Sequence, residues 1–177
     1  METLQQTMRQ NYADGGPGVL VSGLVWLMTA IIIIGFSDKG GMLALFIGGM
    51  AIHPISSLID NRLKRPGISE PDKSLTRLAL LTLPLLFAGL YLGYLLSEQR
   101  IALFFSVTAV TIGLRYLIFQ CIYGLKAYWV LGFILMGLGL LASLAPPVLA
   151  LQIVTIVGMI ELLFGIWLTH RFLKTVI

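Results

Sequence analysis

Long apolar runs separated by short polar breaks dominate the chain. The runs fall at about 17–36, 42–59, 78–96, 101–122, 129–144 and 148–168. About 20 consecutive apolar residues cross a bilayer core as a helix. Hydrocarbon offers no partner to a loose backbone N–H or C=O, so each run is expected to be helical. A transmembrane barrel would alternate polar and apolar positions, and these runs do not. The pattern predicts an all-α, polytopic transmembrane bundle of six helices in antiparallel hairpins, forming a single integral membrane domain over residues 1–177.

The breaks have their own chemistry. METLQQTMRQNYADGG, ahead of the first run, reads as a short interfacial helix. It does not read as a cleavable leader, because the following apolar stretch is long and no small-x-small site follows it. Pro17 suits a first helical turn, where its missing N–H costs nothing. Ser37-Asp38-Lys39-Gly40-Gly41 reads as a tight turn, and 61–76 as a longer polar loop. In that loop Ser69-Glu70-Pro71-Asp72 fits the cap of a short surface helix, with Pro71 at an early helical position. Ser97 to Arg100 makes a short turn, residues 123–128 connect the fourth and fifth spans, and Pro146-Pro147 breaks the fifth. Pro54 is expected to kink the second span by freeing the Met50 carbonyl, with Ser56 or Ser57 satisfying backbone nearby.

Composition agrees with the pattern. Of the 177 residues, 58% are hydrophobic and 11% charged, against about 25% charged in an ordinary soluble domain. Mean hydropathy is +0.94. The net charge of +4 points to the membrane surface, not to nucleic acid, because basic residues collect on the cytosolic flanks of spans and attract anionic lipid there. Counting outside the spans, Arg9, Arg62, Lys64, Arg65, Lys73, Arg77, Lys126, Arg171 and Lys174 lie on one side, and only Lys39 and Arg100 on the other. Nine against two places both termini in the cytosol. The expected location is a bacterial inner membrane, crossed several times, with the bilayer as partner and a homo-oligomer as a further candidate.

No nucleotide, zinc-protease, redox or nucleophile-elbow motif occurs. Two histidines and one cysteine make a conventional zinc site improbable. No cofactor and no catalytic residues are expected. The single Cys121 reads as a small buried packing residue. Trp129, Trp167, Tyr12, Tyr123 and Tyr128 sit near span ends and read as interfacial anchors, whereas Trp26 lies deeper.

The informative residues are polar ones within spans: His53, Arg115, Gln120 and Glu161, with Asp60 near the end of the second span. A charge at bilayer centre costs about 2.5–3.5 kcal/mol on insertion scales, so such groups usually face the bundle or a hydrated cavity. His53, Arg115 and Glu161 each fall about 12–15 positions into an outside-to-inside helix, about 18–22 Å down a core about 30 Å thick. At that shared depth they could form one site in the cytosolic half, with Gln120 and Asp60 deeper. Against this stands plain structure: Arg115 and Glu161 locking two helices together, Arg115 snorkelling to the headgroups, or His53 making a packing hydrogen bond. Small residues at Gly89/Gly93, Ala109/Gly113 and Gly139/Ser143 mark close helix contacts, within one chain or between copies.

AIHPISSLID in the second span and RYLIFQCIYGLKAYWVLG across the fourth-to-fifth junction, behind a polar N-terminal stretch, resemble small bacterial inner-membrane proteins of unknown function. The resemblance covers nearly the whole chain. It implies a six-helix membrane domain and no particular activity. A polar residue at similar depth in the second helix of each hairpin also hints at an internal repeat of the kind transporters use. The expected function is binding or transport of a small solute or proton at the intramembrane polar site. The alternative is a non-catalytic structural or accessory subunit. A lipid-directed intramembrane enzyme lacks any nucleophile–base spacing.

Overall fold

The computed structural model describes residues 2–63, 70–144 and 149–176. The helices are α1 (Glu2–Asn11), α2 (Gly16–Gly35), α3 (Asp38–Leu63), α4 (Lys73–Ser97), α5 (Ala102–Tyr123), α6 (Ala127–Leu144) and α7 (Ala150–Val176), with a 3-10 turn at Ala13–Gly15 between the first two. No strand occurs among the described residues. Six of the helices, α2 to α7, are long and apolar enough to cross a membrane. The N-terminal polar stretch forms α1, as expected of it. The Lys64-Arg65 pair, Pro66, Gly67 and Ser69 of the polar loop, and the Pro146-Pro147 break, lie outside the described residues.

Side-chain caps set the helix limits more tightly than hydropathy did. α3 begins at Asp38, four residues before the apolar run, because Ser37 Oγ accepts the Gly40 N–H at 3.0 Å. The tight turn expected at 37–41 is therefore mostly helix. α4 begins at Lys73, where Asp72 Oδ1 accepts the N–H groups of Ser74 and Leu75 at 3.0 and 2.9 Å and the Ser74 hydroxyl as well. Asp72 thus caps α4 itself, not a separate surface helix, and Pro71 precedes the helix. The Ser74 hydrogen bond, then the Leu75 N–H, holds the Asp72 carboxyl below its usual range, so the cap weakens as pH falls through that lowered value. α5 ends at Gly124, whose φ of 65° is the left-handed conformation that closes helices. α6 ends under Arg100, whose Nη2 donates to the Ala142 and Ser143 carbonyls at 3.0 and 2.8 Å. α3 runs through Pro54, and Ser56 Oγ donates to the His53 carbonyl at 3.1 Å.

The helices pack as two groups. α2 lies between α7 and α3, and α5 lies between α4 and α6. The groups meet where α7 touches α5 and α6, and α1 lies across one end against α5. The first two hairpins, α2–α3 and α4–α5, are closely packed, whereas α6 and α7 turn mainly to other partners. Trp26, Phe105, Tyr128, Leu131, Leu135, Val154 and Val157 are fully enclosed. The outer helices α3 and α4 keep large apolar side chains exposed, among them Leu43, Leu58, Leu81 and Leu92, a surface suited to lipid.

Glycine grooves bring the helices together. A Cβ on Gly89 would meet Thr111, one on Gly93 the Phe104 backbone, one on Gly113 the Gly132 carbonyl, and one on Gly139 the Ser106 carbonyl. The small residues noted in the sequence therefore serve contacts within the chain, between α4, α5 and α6. Equally close backbone contacts join the first and last spans. A Cβ on Gly23 would press on the Leu162 backbone, and one on Gly165 on the Leu20 backbone.

Gly23→Ala should therefore destabilise the protein by about 1–3 kcal/mol, the usual cost of overpacking. Gly18→Ala, on the same helix with open space at its Cβ, should be neutral or stabilising. Unfolding of both variants in detergent checks the difference.

Candidate functional site

α7 carries Glu161 to the junction of the two helix groups, where the side chain has no exposed surface. From α5, Tyr116 Oη donates to Glu161 Oε1 at 2.9 Å. From α2, Ser22 adjoins both groups. Glu161 Oε2 is buried without a hydrogen-bond partner. The carboxyl group is thus half satisfied, in a place where an unmet acceptor is costly.

Arg115 and Glu161 are within electrostatic range of each other but form no ion pair. Arg115 Nε instead donates to Thr82 Oγ1 of α4 at 2.8 Å, and its guanidinium carbon lies 5.1 Å from the Phe119 ring centroid. Its charge is spread among a hydroxyl and an aromatic face. His53 is exposed on α3 and does not join the buried carboxyl. Gln120 is half-buried, with Cys121 Sγ 3.7 Å from its Oε1. Cys121 itself is exposed, contrary to its reading as a buried packing residue: it falls on the side of α5 that its neighbouring helices leave uncovered.

Asp60 lies in a second buried polar cluster, at the α1 end of the bundle. It is 7% exposed and its Oδ1 has no hydrogen-bond partner. Tyr12, Tyr123 and Tyr128 are its electrostatic neighbours. Burial first, then the Asp60 carboxyl, push the Tyr12 phenol above its ordinary value of 10.0, while the Thr76 hydroxyl works the other way. Close by, the 3-10 turn holds Ala13 and Asp14 at φ 44° and 59°, left-handed conformations that cost a non-glycine residue about 1–3 kcal/mol each. Tyr128 Oη donates to the Asp14 carbonyl at 2.7 Å and so helps to hold the turn.

Aromatic rings connect the two clusters. Tyr123 stacks on Tyr128 with centroids 5.3 Å apart, and Tyr128 lies 6.0 Å from Tyr116, the residue bonded to Glu161. Tyr128 is fully buried and Tyr123 half-buried, so neither is the interfacial anchor that its place near a span end suggested. α1 and the 3-10 turn cover that end. Tyr116 and Ser22 were not among the residues singled out from sequence, because a tyrosine or serine within a span carries no charge to mark it. Among the described residues, no group of three or more His, Cys, Asp or Glu could hold a metal ion.

The model of a family of unknown function, DUF7010, matches residues 1–171. The chain belongs to that family. No curated protein and no solved structure matches it. For this DUF7010 member the geometry is therefore the main guide to function.

Two double-mutant cycles test that geometry. Tyr116→Phe with Glu161→Leu should show a coupling of about 0.5–2 kcal/mol, as hydrogen-bonded neighbours do. Arg115→Met with Glu161→Leu should be additive to within about 0.5 kcal/mol. Unfolding in detergent reads both, and a larger coupling for the Arg115 cycle would mean that the ion pair forms after all.

Proposed function

We propose that this chain is a multi-pass protein of a bacterial inner membrane that binds and passes a proton at the site formed by Glu161, Tyr116 and Ser22. The observation that carries this reading is a carboxyl group without exposed surface, one oxygen bonded to a phenol and the other without a partner. A charge at bilayer depth is costly, and the Arg115 guanidinium is engaged elsewhere. Proton uptake removes the charge. Proton release leaves a carboxylate that Tyr116 stabilises by hydrogen bonding and Arg115 by its field, with Ser22 adjoining. In this reading both termini face the cytosol, the bilayer is the partner, and the chain is not an enzyme. The second reading is an accessory membrane subunit. It is favoured by one fact: the Tyr116–Glu161 bond joins the two helix groups.

Glu161→Gln separates the readings, because glutamine keeps a hydrogen-bonding carbonyl and cannot titrate. Protein in vesicles with an internal pH dye and an imposed potassium diffusion potential should pass protons several-fold faster than empty vesicles. Glu161→Gln should fold in normal yield and pass none above background. Wild-type flux equal to that of empty vesicles would leave only the accessory role.

With both termini in the cytosol, we propose an anionic-lipid contact at the end of α7. Trp167, His170, Arg171, Lys174 and Thr175 line a shallow, open surface depression there, with the Arg171 guanidinium carbon 5.9 Å from the Trp167 ring centroid. Basic residues near a charged leaflet contribute about 1 kcal/mol each. Anionic nanodiscs should raise the melting temperature above that in zwitterionic ones, and the Arg171→Gln, Lys174→Gln double variant should lose most of that gain.

A further inference from the structure

Arg115 stands on α5 eight positions before its last residue, Tyr123, about 12 Å along the helix axis. A guanidinium carries five N–H donors in a planar fork. Here one edge and one face of it are used. Nε donates to Thr82 Oγ1 of α4 at 2.8 Å, and the guanidinium carbon lies 5.1 Å from the Phe119 ring centroid. Thr82 is buried, and its own hydroxyl proton goes to the Ala79 carbonyl at 2.6 Å. Its oxygen is thereby left to accept from Arg115, so the fork is held from α4 as well as from α5.

The other edge is open. Nη1 and Nη2 have no hydrogen-bond partner among the described residues, and neither atom is enclosed. No carboxylate among those residues forms an ion pair with Arg115, and Glu161 is bonded to Tyr116 instead. An Arg at bilayer depth without a counter-ion is costly. Two Nη groups side by side match two oxygens of a carboxylate or a phosphate. The anion then has to come from outside the chain. Along a membrane helix the abundant anion is the phospholipid phosphate, and an Arg side chain is long enough to reach towards it from within the core. Leu81 and Leu114, next in sequence to Thr82 and Arg115, are exposed and offer acyl chains an apolar surface.

We infer that Arg115, held by Thr82 and Phe119, binds one phospholipid phosphate at the seam of α4 and α5. The inference goes beyond proton binding at Glu161 and does not rest on it. It also differs in kind from the contact at the end of α7. There several basic residues add their charges, whereas here a single fork is fixed in orientation and presents two donors. A lysine would supply the same charge and a similar reach but not the fork.

Native mass spectrometry of detergent-purified protein, titrated with phosphatidylglycerol, tests the site. The Arg171→Gln, Lys174→Gln double variant serves as the parent, which removes the contact at the end of α7. The parent should retain one tightly bound lipid. Adding Arg115→Gln or Arg115→Lys should weaken that first binding step at least about tenfold. Adding Thr82→Val, which leaves the charge and frees the fork, should weaken it several-fold. Circular dichroism and the melting temperature identify the folded variants, and Arg115→Lys with Thr82→Val carry the test should Arg115→Gln not fold. Equal affinity in all folded variants would overturn the site. Full binding by Arg115→Lys beside loss in Arg115→Gln would mean that charge alone attracts lipid, and would overturn it too. Arg115-dependent binding of inorganic phosphate without binding of phosphatidylglycerol would overturn the lipid as the source of the anion.

Discussion

The Tyr116–Glu161 hydrogen bond sits where the two helix groups meet, and the arrangement of the bundle depends on it. α5 and α7 touch each other far less than they touch the other helices of their own groups. Apolar side chains at such a sparse contact could slide by a turn with little loss. A phenol bonded to a carboxyl cannot, because the bond is directional. Its net energy is modest, about 0.6 kcal/mol on average for hydrogen bonds between membrane helices. Its effect is to fix the register of α5 against α7, and with it the position of Ser22, Arg115 and the neighbouring tyrosine rings.

The energy that holds each group together has another source. Between helices in lipid there is little hydrophobic drive, and close van der Waals contact takes its place. α2 and α7 achieve it by matched glycines, Gly16 and Gly23 on one helix against Thr169 and Leu162 on the other, with Gly158 and Gly165 returning the contact to Trp26 and Leu20. α5 uses Gly113 towards α6 and receives Gly89 and Gly93 from α4. The outer helices α3 and α4 are held on one flank each, and their free faces carry the apolar side chains that a bilayer would solvate.

The spans were legible because hydropathy is a bulk property: the long apolar helices lie where the apolar runs lie. Their ends were legible where a residue has a local task, such as Pro17 in the first turn of α2. Helix adjacency was not legible. The pairing of α2 with α7 joins the first span to the last, and its glycines recur every seven positions, at 16 and 23 and at 158 and 165, outside the four-residue spacing that marks close packing. Equal depth of His53, Arg115 and Glu161 says nothing about which helices are neighbours. α3 packs on α2, and His53 is left exposed while Glu161 is enclosed. Asp60 and Glu161 were visible as charges in apolar surroundings. Their phenolic and hydroxyl partners were not, since tyrosine and serine are unremarkable within a span until the fold brings them to a carboxyl.

The costly features of this molecule share one course. The left-handed residues Ala13 and Asp14, Asp60 with its unpartnered Oδ1, and the half-satisfied Glu161 run from the α1 end to the middle of the bundle, with tyrosine rings between them. Replacing a buried ionisable group by an apolar one of similar volume is often neutral or stabilising, and the glycine contacts already hold the helices. Backbone strain that coincides with buried, under-bonded polar groups supports the proposed proton-binding role of Glu161 over a purely structural one.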